Sequence, residues 1–236
     1  MISPENSLTP ASPAPAISPW PQLEAPVDCP LCPRLAAFRD ALRAEHPGWW
    51  NAPVPAFGDP GAWLAIIGLA PGKHGANRTG RPFTGDFAGD LLYETLIDFG
   101  LARGRYDARP DDGLVLDGAV ILNAVKCLPP ENKPTPAEAN ACRPFLARQL
   151  AALPQVRVLV ALGQIAHQQL VRTCGGRQAD FRFGHLAEHR LPGGQVLIDS
   201  YHCSRYNQNT GRLTPDMFAR VFARAVAIGR EPPVKA

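Results

Sequence analysis

The chain has 236 residues, and its 24 Lys and Arg against 21 Asp and Glu give a formal net charge of only +3. This balance neither demonstrates nor excludes a nucleic-acid partner, because a basic groove can exist within a near-neutral total. The 45% hydrophobic content fits a folded globular core. With no apolar run of about 18 residues and no N-terminal leader pattern, we expect a cytoplasmic protein without a membrane span.

The N-terminal segment is rich in proline. Seven of the 26 prolines fall in the first 28 residues, which contain few large apolar side chains and no helical or strand period. Such a composition cannot bury enough apolar surface to offset the entropy of ordering. We therefore predict that residues 1–28 form a disordered or loosely docked tail and that a single domain spans residues 29–230.

Two cysteine pairs need an explanation, because disulfides are rare in the cytoplasm. Cys29 and Cys32 form a C-x2-C pair where the domain is expected to begin, and Cys127 and Cys142 form a later C-x14-C pair. Four thiolates can hold a zinc ion or an iron–sulfur cluster, and spacing alone does not distinguish the two. Cys174 has no short-range partner and Cys203 lies in a polar loop, and we expect both to be ordinary small residues.

Four short apolar runs alternate with helix-like segments. The runs cover residues 63–69, 118–125, 156–162 and 195–198, and helices are expected near 33–44, 87–100, 136–152, 163–173 and 215–228. Each run is too short for a helix and lacks apolar–polar alternation, which is typical of parallel strands buried on both faces. The alternation predicts an α/β fold around a mostly parallel sheet, with the functional site beyond the carboxyl ends of the strands.

Three polar loops follow predicted strands and are expected to meet there. The first, residues 68–86, contains five glycines but lacks the phosphate-binding patterns G-x4-G-K-[ST] and G-x-G-x-x-G. The others are residues 126–134 and residues 200–212. Long loops in compact domains are usually functional, so we take these three as candidate site loops.

The motifs in these loops resemble those of the family 5, or type B, uracil-DNA glycosylases. The matching segments are GLAPG, HG-x-NRTGRPFTGD, NAVKC-x-PP-x-NKPTP, ALG-x-IA, SYH-x-SR and NTGRLT. The resemblance implies a three-layer α/β/α sandwich with a central four-stranded, mostly parallel sheet. It also implies a [4Fe–4S] cluster on Cys29, Cys32, Cys127 and Cys142, and uracil-containing DNA as the partner of a monomeric enzyme.

The resemblance also assigns roles around a flipped uracil. Phe83 is expected to stack on the base, Gly68 and Ala70 of GLAPG to border it, and Asn123 to read its Watson–Crick edge. Asn123 departs from the type B pattern and matches family 4, and its alternative role is to cap the strand end. Cys203 is a second departure, because proline or another small residue is commoner after the motif histidine.

Bond cleavage places positive charge on the sugar and negative charge on the departing base. Asp86 is the candidate for stabilising the cation and orienting water, with helix capping as the alternative role. His202 is expected to donate a hydrogen bond to the uracil anion, and Asn132 to position water or backbone. The candidate DNA-binding groups are Lys73, Asn77, Arg78, Arg81, Arg205 and Arg212.

Two other functions remain open at this point. A non-catalytic iron–sulfur or zinc protein that binds nucleic acid has the same fold, but the presence of both Asp86 and His202 favours the enzyme. An electron-transfer protein is disfavoured by the large polar site that the loops predict.

Overall fold

The computed structural model describes Ser18 and residues 20–230, so the predicted tail at residues 1–17 and 19 lies outside the described residues. The strands, in chain order, are β1 (Phe57–Gly58), β2 (Leu64–Gly68), β3 (Ala102–Arg103), β4 (Val115–Leu116), β5 (Ala119–Asn123), β6 (Val158–Leu162), β7 (Glu188–Arg190) and β8 (Val196–Ser200). The α-helices are α1 (Pro33–Glu45), α2 (Ala76–Thr79), α3 (Phe87–Asp98), α4 (Pro136–Ala151), α5 (Gln164–Thr173), α6 (Arg205–Asn209) and α7 (Pro215–Arg230). Within this described part, no helix combines the length and apolar content of a membrane span.

The central sheet has the order β1-β5-β2-β6-β8-β7. Its four inner strands are parallel and correspond to the four apolar runs, so that prediction is confirmed. The predicted strand number is wrong, because β1 and β7 add antiparallel edges to give six strands. These edges are two and three residues long and are not fully buried, so no apolar run marks them in the sequence.

The sheet lies between two helical layers, as expected for an α/β/α sandwich. Successive side chains of a strand point to opposite faces. Ile66 and Val160 pack with α3 and α7 in one core, whereas Ile67 and Leu159 pack with α4 and α5 in the other. All four side chains are fully or almost fully buried, which explains the unbroken apolar runs.

The end of the predicted tail is part of the folded unit. Trp20 is 8% exposed and packs in the core beneath α4 and α5. Glu24 accepts hydrogen bonds from Ser18 Oγ at 2.5 Å, from Ala56 N at 3.0 Å and from Gln149 Nε2 at 2.9 Å. Trp20 and the half-buried Glu24 therefore anchor the end of a segment whose composition looks unstructured.

A histidine–aspartate group fixes the carboxyl end of β8. Asp199 Oδ1 lies 2.8 Å from His167 Nδ1, and Asp199 Oδ2 lies 3.3 Å from both His189 Nε2 and the Gly184 amide. His167 Nε2 is in turn 3.0 Å from the Phe181 carbonyl. This buried network ties β8 to α5 and to β7, and so it supports the loop that begins at Tyr201.

Candidate active site

A cleft of about 760 Å³ opens beyond the carboxyl ends of β2, β5 and β8. It is lined by Leu69, Ala70, Gly72, Lys73, His74, Gly75, Ala76, Phe83, Gly85, Asp86, Phe87, Ala88, Asp90, Ala108, Asn123, Asn132, His202, Ser204 and Arg205. All three candidate loops contribute to this set. The topology places them together because parallel strands end at the same edge of the sheet.

Phe83 and Asn123 are buried residues that line the cleft over Gly68. A β-carbon on Gly68 would lie 2.7 Å from both Phe83 Cζ and Asn123 Oδ1. Gly68 is not among the lining residues, so it makes room for the pair rather than contacting a ligand itself. Phe83 is 7% exposed and adopts φ = 53°, a left-handed conformation that bulky residues avoid.

The Asn123 carboxamide carries an unpaired oxygen. Asn123 is 3% exposed, and its Oδ1 has no hydrogen-bond partner among the described residues. A buried unpaired carbonyl costs about 1–3 kcal/mol, so it needs a reason to persist. The oxygen and the Phe83 ring both lie over Gly68, and the N–H group of a planar ligand would satisfy the oxygen.

Asp86 caps a helix and also lines the cleft. It is the N-cap of α3, and its Oδ1 accepts a hydrogen bond from Gly89 N at 3.2 Å. A β-carbon on Gly72 would lie 3.0 Å from Asp86 Oδ2, and one on Gly75 would collide with the carboxylate. Burial raises the pKa of Asp86, while the backbone N–H groups of Gly89 and Ala88 oppose that change. Capping α3 therefore does not exclude a role for Asp86 in the cleft.

His202 faces Phe83 from the loop after β8. The ring centroids are 6.0 Å apart and the planes are inclined by 29°. Burial lowers the pKa of His202 to about 4, so the imidazole is neutral at neutral pH and has one N–H to donate. Asn207 Nδ2 donates a hydrogen bond to the His202 carbonyl at 2.8 Å and holds the backbone in place.

Two further predicted residues lie on the cleft wall. Ala70 follows β2 and is half-buried, and Asn132 is exposed at the end of the one-turn helix Pro130–Asn132. Asn132 has φ = 56°, a backbone region in which asparagine is enriched. Its side chain is therefore offered to the cleft from a tight turn.

The predicted DNA-binding cations divide into two groups. Lys73 and Arg205 line the cleft, and Arg205 also lies over the ring of Phe87 at 5.0 Å. Arg78 and Arg212 are exposed without lining it. None of these four side chains is buried.

Arg81 and Asn77 are not surface groups, so the prediction that they contact DNA is wrong. Arg81 is 1% exposed and forms a bidentate pair with Asp112, with both N–O distances at 2.7 Å. Asn77 is 2% exposed and donates from Nδ2 to Asn51 Oδ1 at 2.9 Å. A polar residue in a glycine-rich loop gives no sign in the sequence of a distant partner such as Asp112 or Asn51.

The structure also brings residues to the cleft that the sequence did not indicate. Phe87 and Ala108 line it, and Tyr206, which follows Arg205 on α6, is 72% exposed. Ala108 belongs to the loop between β3 and β4, which has no apolar pattern to mark it. Tyr206 belongs to the same polar segment as His202, but nothing in the sequence marks its ring as exposed.

The comparisons with known proteins agree with this geometry. Residues 55–225 match the model of the uracil DNA glycosylase superfamily. A type-5 uracil-DNA glycosylase of Thermus thermophilus is 48% identical over 204 residues, which cover 84% of this chain and 92% of the relative. The chain belongs to the uracil DNA glycosylase superfamily.

Other relatives place the chain more finely within the superfamily. A type-5 uracil-DNA glycosylase of Pyrobaculum aerophilum is 40% identical over 205 residues, covering 85% of this chain and 89% of the relative. A type-4 uracil-DNA glycosylase of Archaeoglobus fulgidus is 38% identical over 116 residues, covering 49% of this chain and 50% of the relative. The resemblance to the type-5 members noted from the motifs is therefore confirmed.

A second, smaller cavity in this uracil DNA glycosylase superfamily member is lined by all four paired cysteines. Cys29 and Cys32 precede α1, Cys127 follows β5, and Cys142 lies inside α4. The remaining lining residues are Ala25, Leu31, Leu35, Ala36, Val125, Lys126 and Phe145. Cys174 and Cys203 lie elsewhere, as expected, and Cys203 is fully buried.

The spacing and surroundings of the four sulfurs restrict what they can hold. Tetrahedral zinc with bonds of about 2.3 Å needs sulfurs roughly 3.8 Å apart. Among the described His, Cys, Asp and Glu residues, His167, His189 and Asp199 form the group of three whose possible ligand atoms all lie within 4.8 Å of one another. No three cysteine sulfurs in this part of the chain are therefore that close together. Burial raises the pKa of Cys127 to about 12, while the charge of Arg39 lowers it.

Proposed function

We propose that this protein is a uracil-DNA glycosylase, which hydrolyses the bond between uracil and deoxyribose in DNA and leaves an abasic site. The observation that carries the proposal is the unpaired, buried Oδ1 of Asn123, which lies with the Phe83 ring over Gly68. Asp86 and His202 line the same cleft. A base must leave the helical stack to reach such a site. Its ring then stacks on Phe83 while its imide N–H donates to Asn123.

Asp86 acts on the sugar side of the reaction. The C1′–N1 bond breaks with its electron pair leaving on uracil, and the sugar acquires oxocarbenium character. The Asp86 carboxylate stabilises that cation and orients a water molecule, whose oxygen bonds to C1′ while one of its protons passes to the carboxylate. The N–H groups at the start of α3 favour the ionised form of Asp86 and so oppose the rise in its pKa that burial causes.

His202 acts on the base side. Because its lowered pKa keeps it neutral, it donates one hydrogen bond to the oxygen of the departing uracil anion without first having to lose or gain a proton. Asn132 on the opposite wall positions the water or the neighbouring backbone. Removing a single donor of this type typically lowers turnover by about 10²–10³-fold.

DNA binding follows from the charges and exposed rings around the cleft. Lys73 and Arg205 at the cleft wall, with Arg78 and Arg212 nearby, are suited to contact phosphates. Tyr206 offers an exposed ring next to Arg205, on which a base left unpaired by flipping can stack. These contacts give affinity without sequence preference, as a repair enzyme requires.

The four paired cysteines would hold a [4Fe–4S] cluster. Sulfurs that share one cavity, but lie farther apart than ligands of a single ion, fit a cubane better than zinc. Arg39 donates to the Cys29 carbonyl at 3.1 Å, which places a positive charge beside the cysteines, and the backbone amide of Lys126 donates to Cys142 Sγ at 3.3 Å, which stabilises a thiolate there. Cys29, Cys32, Cys127 and Cys142 would hold the cluster and so would link the Cys29–Cys32 turn to α4 and to the segment after β5. Their cavity shares no lining residue with the cleft.

We also propose that residues 20–230 act as one catalytic domain, as a monomer in the cytoplasm. Every residue assigned to the site belongs to a single chain, so a second copy is not needed to complete it. A reducing compartment keeps six cysteines free of disulfides and suits an iron–sulfur protein.

A strand-cleavage assay tests the function directly. The full-length protein is incubated with a duplex that carries one uracil and is then treated with alkali, which breaks the strand at an abasic site. Breaks are expected at the uracil position and not in a matched duplex that carries thymine there. If Asp86→Asn and the parent protein both give no breaks with uracil, while the parent protein is folded and binds DNA, a non-catalytic DNA-binding protein is the better account.

A further inference from the structure

The conformation of Phe83 needs support from its surroundings. Its φ of 53° is unfavourable for a residue with a β-carbon. Such a conformation persists only where contacts with neighbouring groups hold the backbone in place. The orientation of the ring depends on this backbone, because the ring must present its face to the cleft. The groups that hold the Phe83 backbone therefore control the stacking surface.

The backbone around Phe83 is held by two tyrosine hydroxyl groups. Tyr93 Oη donates to the Pro82 carbonyl at 2.6 Å. Tyr106 Oη donates to the Phe83 carbonyl at 3.2 Å and accepts from the Gly85 amide, also at 3.2 Å. The two phenol rings stack at 4.6 Å, so each fixes the other. Burial raises the pKa of Tyr106 to about 12, so its donor proton is present at any working pH.

Tyr106 belongs to a loop that is anchored by an ion pair and that also reaches the cleft. The loop joins β3 to β4, and its Asp112 forms the bidentate pair with the buried Arg81, two residues before Phe83. The Arg81 guanidinium lies 5.8 Å from the Tyr106 ring centroid. Ala108 of the same loop lines the cleft. The loop is thus a wall of the cleft and a brace for Phe83.

We infer that Tyr106 is a positioning residue for uracil recognition, which acts through the backbone of Phe83 to hold the stacking ring. This inference rests on the proposed function. Tyr106 is not among the residues that line the cleft, so it does not contact the base. The inference requires that the effect of Tyr106 on the base passes through Phe83 and not through its other contact, Gly85, and a double-mutant cycle tests this.

The test compares the parent, Tyr106→Phe, Phe83→Ala and the double variant as full-length proteins. Single-turnover uracil release is measured at several protein concentrations, and free uracil is titrated as an inhibitor. Tyr106→Phe keeps the stacked ring and removes two hydrogen bonds, so we expect roughly tenfold slower cleavage and weaker uracil inhibition. In the Phe83→Ala background, the same change is expected to have no further effect on either quantity. Val115→Ala on β4, which is exposed, is the control and should match the parent.

Three outcomes contradict the inference. Tyr106→Phe that cleaves and binds uracil like the parent shows that the hydroxyl does not position Phe83. An equal loss in both backgrounds shows that Tyr106 acts independently of Phe83. A lower melting temperature with unchanged uracil inhibition shows a role in stability alone. A parent protein that releases no uracil contradicts the proposed function instead, so the two failures are distinguishable.

Discussion

Phe83 and Asn123 meet over the bare α-carbon of Gly68, because an added β-carbon there would lie 2.7 Å from Phe83 Cζ and from Asn123 Oδ1. Gly68 is the last residue of β2 and pairs with Asn123 of β5, so the strand register itself sets this contact. Only a residue without a side chain leaves room for the Phe83 ring and the Asn123 carboxamide at these positions. The glycine is thus a requirement of the site and not of the strand.

Gly68→Ala is expected to lower uracil release by at least about tenfold. The methyl group would force Phe83 or Asn123 to move, and overpacking of this kind costs about 1–3 kcal/mol. Gly68 has no left-handed φ, so the backbone itself tolerates alanine. Gly48→Ala, where an added β-carbon meets nothing within 4 Å, is the matched control. If Gly68→Ala has the single-turnover rate of the parent, Phe83 and Asn123 do not form the base pocket.

The sequence predicted the inner sheet and the location of the cleft because both depend on local pattern. Unbroken apolar runs such as those of β2 and β6 occur where both faces of a strand are covered, and the carboxyl ends of parallel strands define one crevice. Asp86 and His202, which stand on different loops, are brought to that crevice by this rule.

The failures arise where a long-range partner decides the outcome. Arg81 has the sequence context of a phosphate ligand, but Asp112, 31 residues later, buries and neutralises it. Trp20 has the sequence context of a tail, because one anchoring tryptophan does not form a periodic pattern. Neither partner is visible in a short window of sequence.

Asp86→Asn is expected to separate helix capping from chemistry. Asparagine caps helices about as well as aspartate, so the melting temperature should stay close to that of the parent. Loss of the carboxylate removes the group that faces the sugar, and single-turnover cleavage should fall by about 10²–10⁴-fold. Thr135→Ala, which removes the capping box of α4 away from the cleft, should show the reverse pattern: lower stability by about 1 kcal/mol and an unchanged rate. If Asp86→Asn cleaves at the rate of the parent protein, Asp86 only caps the helix and takes no part in the chemistry.

The pH dependence of cleavage is expected to have an acid limb and no alkaline limb near neutrality. Burial holds the pKa of Asp86 above its usual 3.8, so the rate falls as acidification protonates the carboxylate. His202, with a pKa near 4, is already neutral above pH 6.5 and loses no needed proton there. Its lowered pKa also means that stability falls as pH drops from about 6.5 towards 4, since the unfolded chain binds the proton first. Single-turnover rates between pH 5 and 9 check this, and a rate that declines from pH 6 to 8 would show that an imidazolium is required.

The protein purified without oxygen is expected to be brown and to contain about four irons and four sulfides per chain. Cys142→Ser should lose iron and lower the melting temperature, because the cluster would connect α4 to the Cys29–Cys32 turn. Cys174 lies outside that cavity, so Cys174→Ser should keep the iron content and the melting temperature of the parent. One zinc ion per chain and no iron would refute the cluster assignment, and a colourless Cys174→Ser protein would show that the ligand set is wrong.

Arg205 and Arg81 are expected to respond to alanine substitution in opposite ways. Arg205 is exposed at the cleft wall, so Arg205→Ala should weaken DNA binding and reduce the slope of log K against log salt by about 0.9 for each phosphate that the variant no longer neutralises, without changing the melting temperature. Arg81→Ala leaves Asp112 as a buried charge without its partner, and breaking such a pair costs about 3–5 kcal/mol. It should therefore lower stability strongly and leave the salt slope of the folded fraction unchanged. Binding of an uncleavable duplex measured at several salt concentrations, together with thermal unfolding, distinguishes the two. A reduced salt slope for Arg81→Ala would mean that Arg81 leaves Asp112 to bind phosphate, and an unchanged slope for Arg205→Ala would remove Arg205 from the DNA interface.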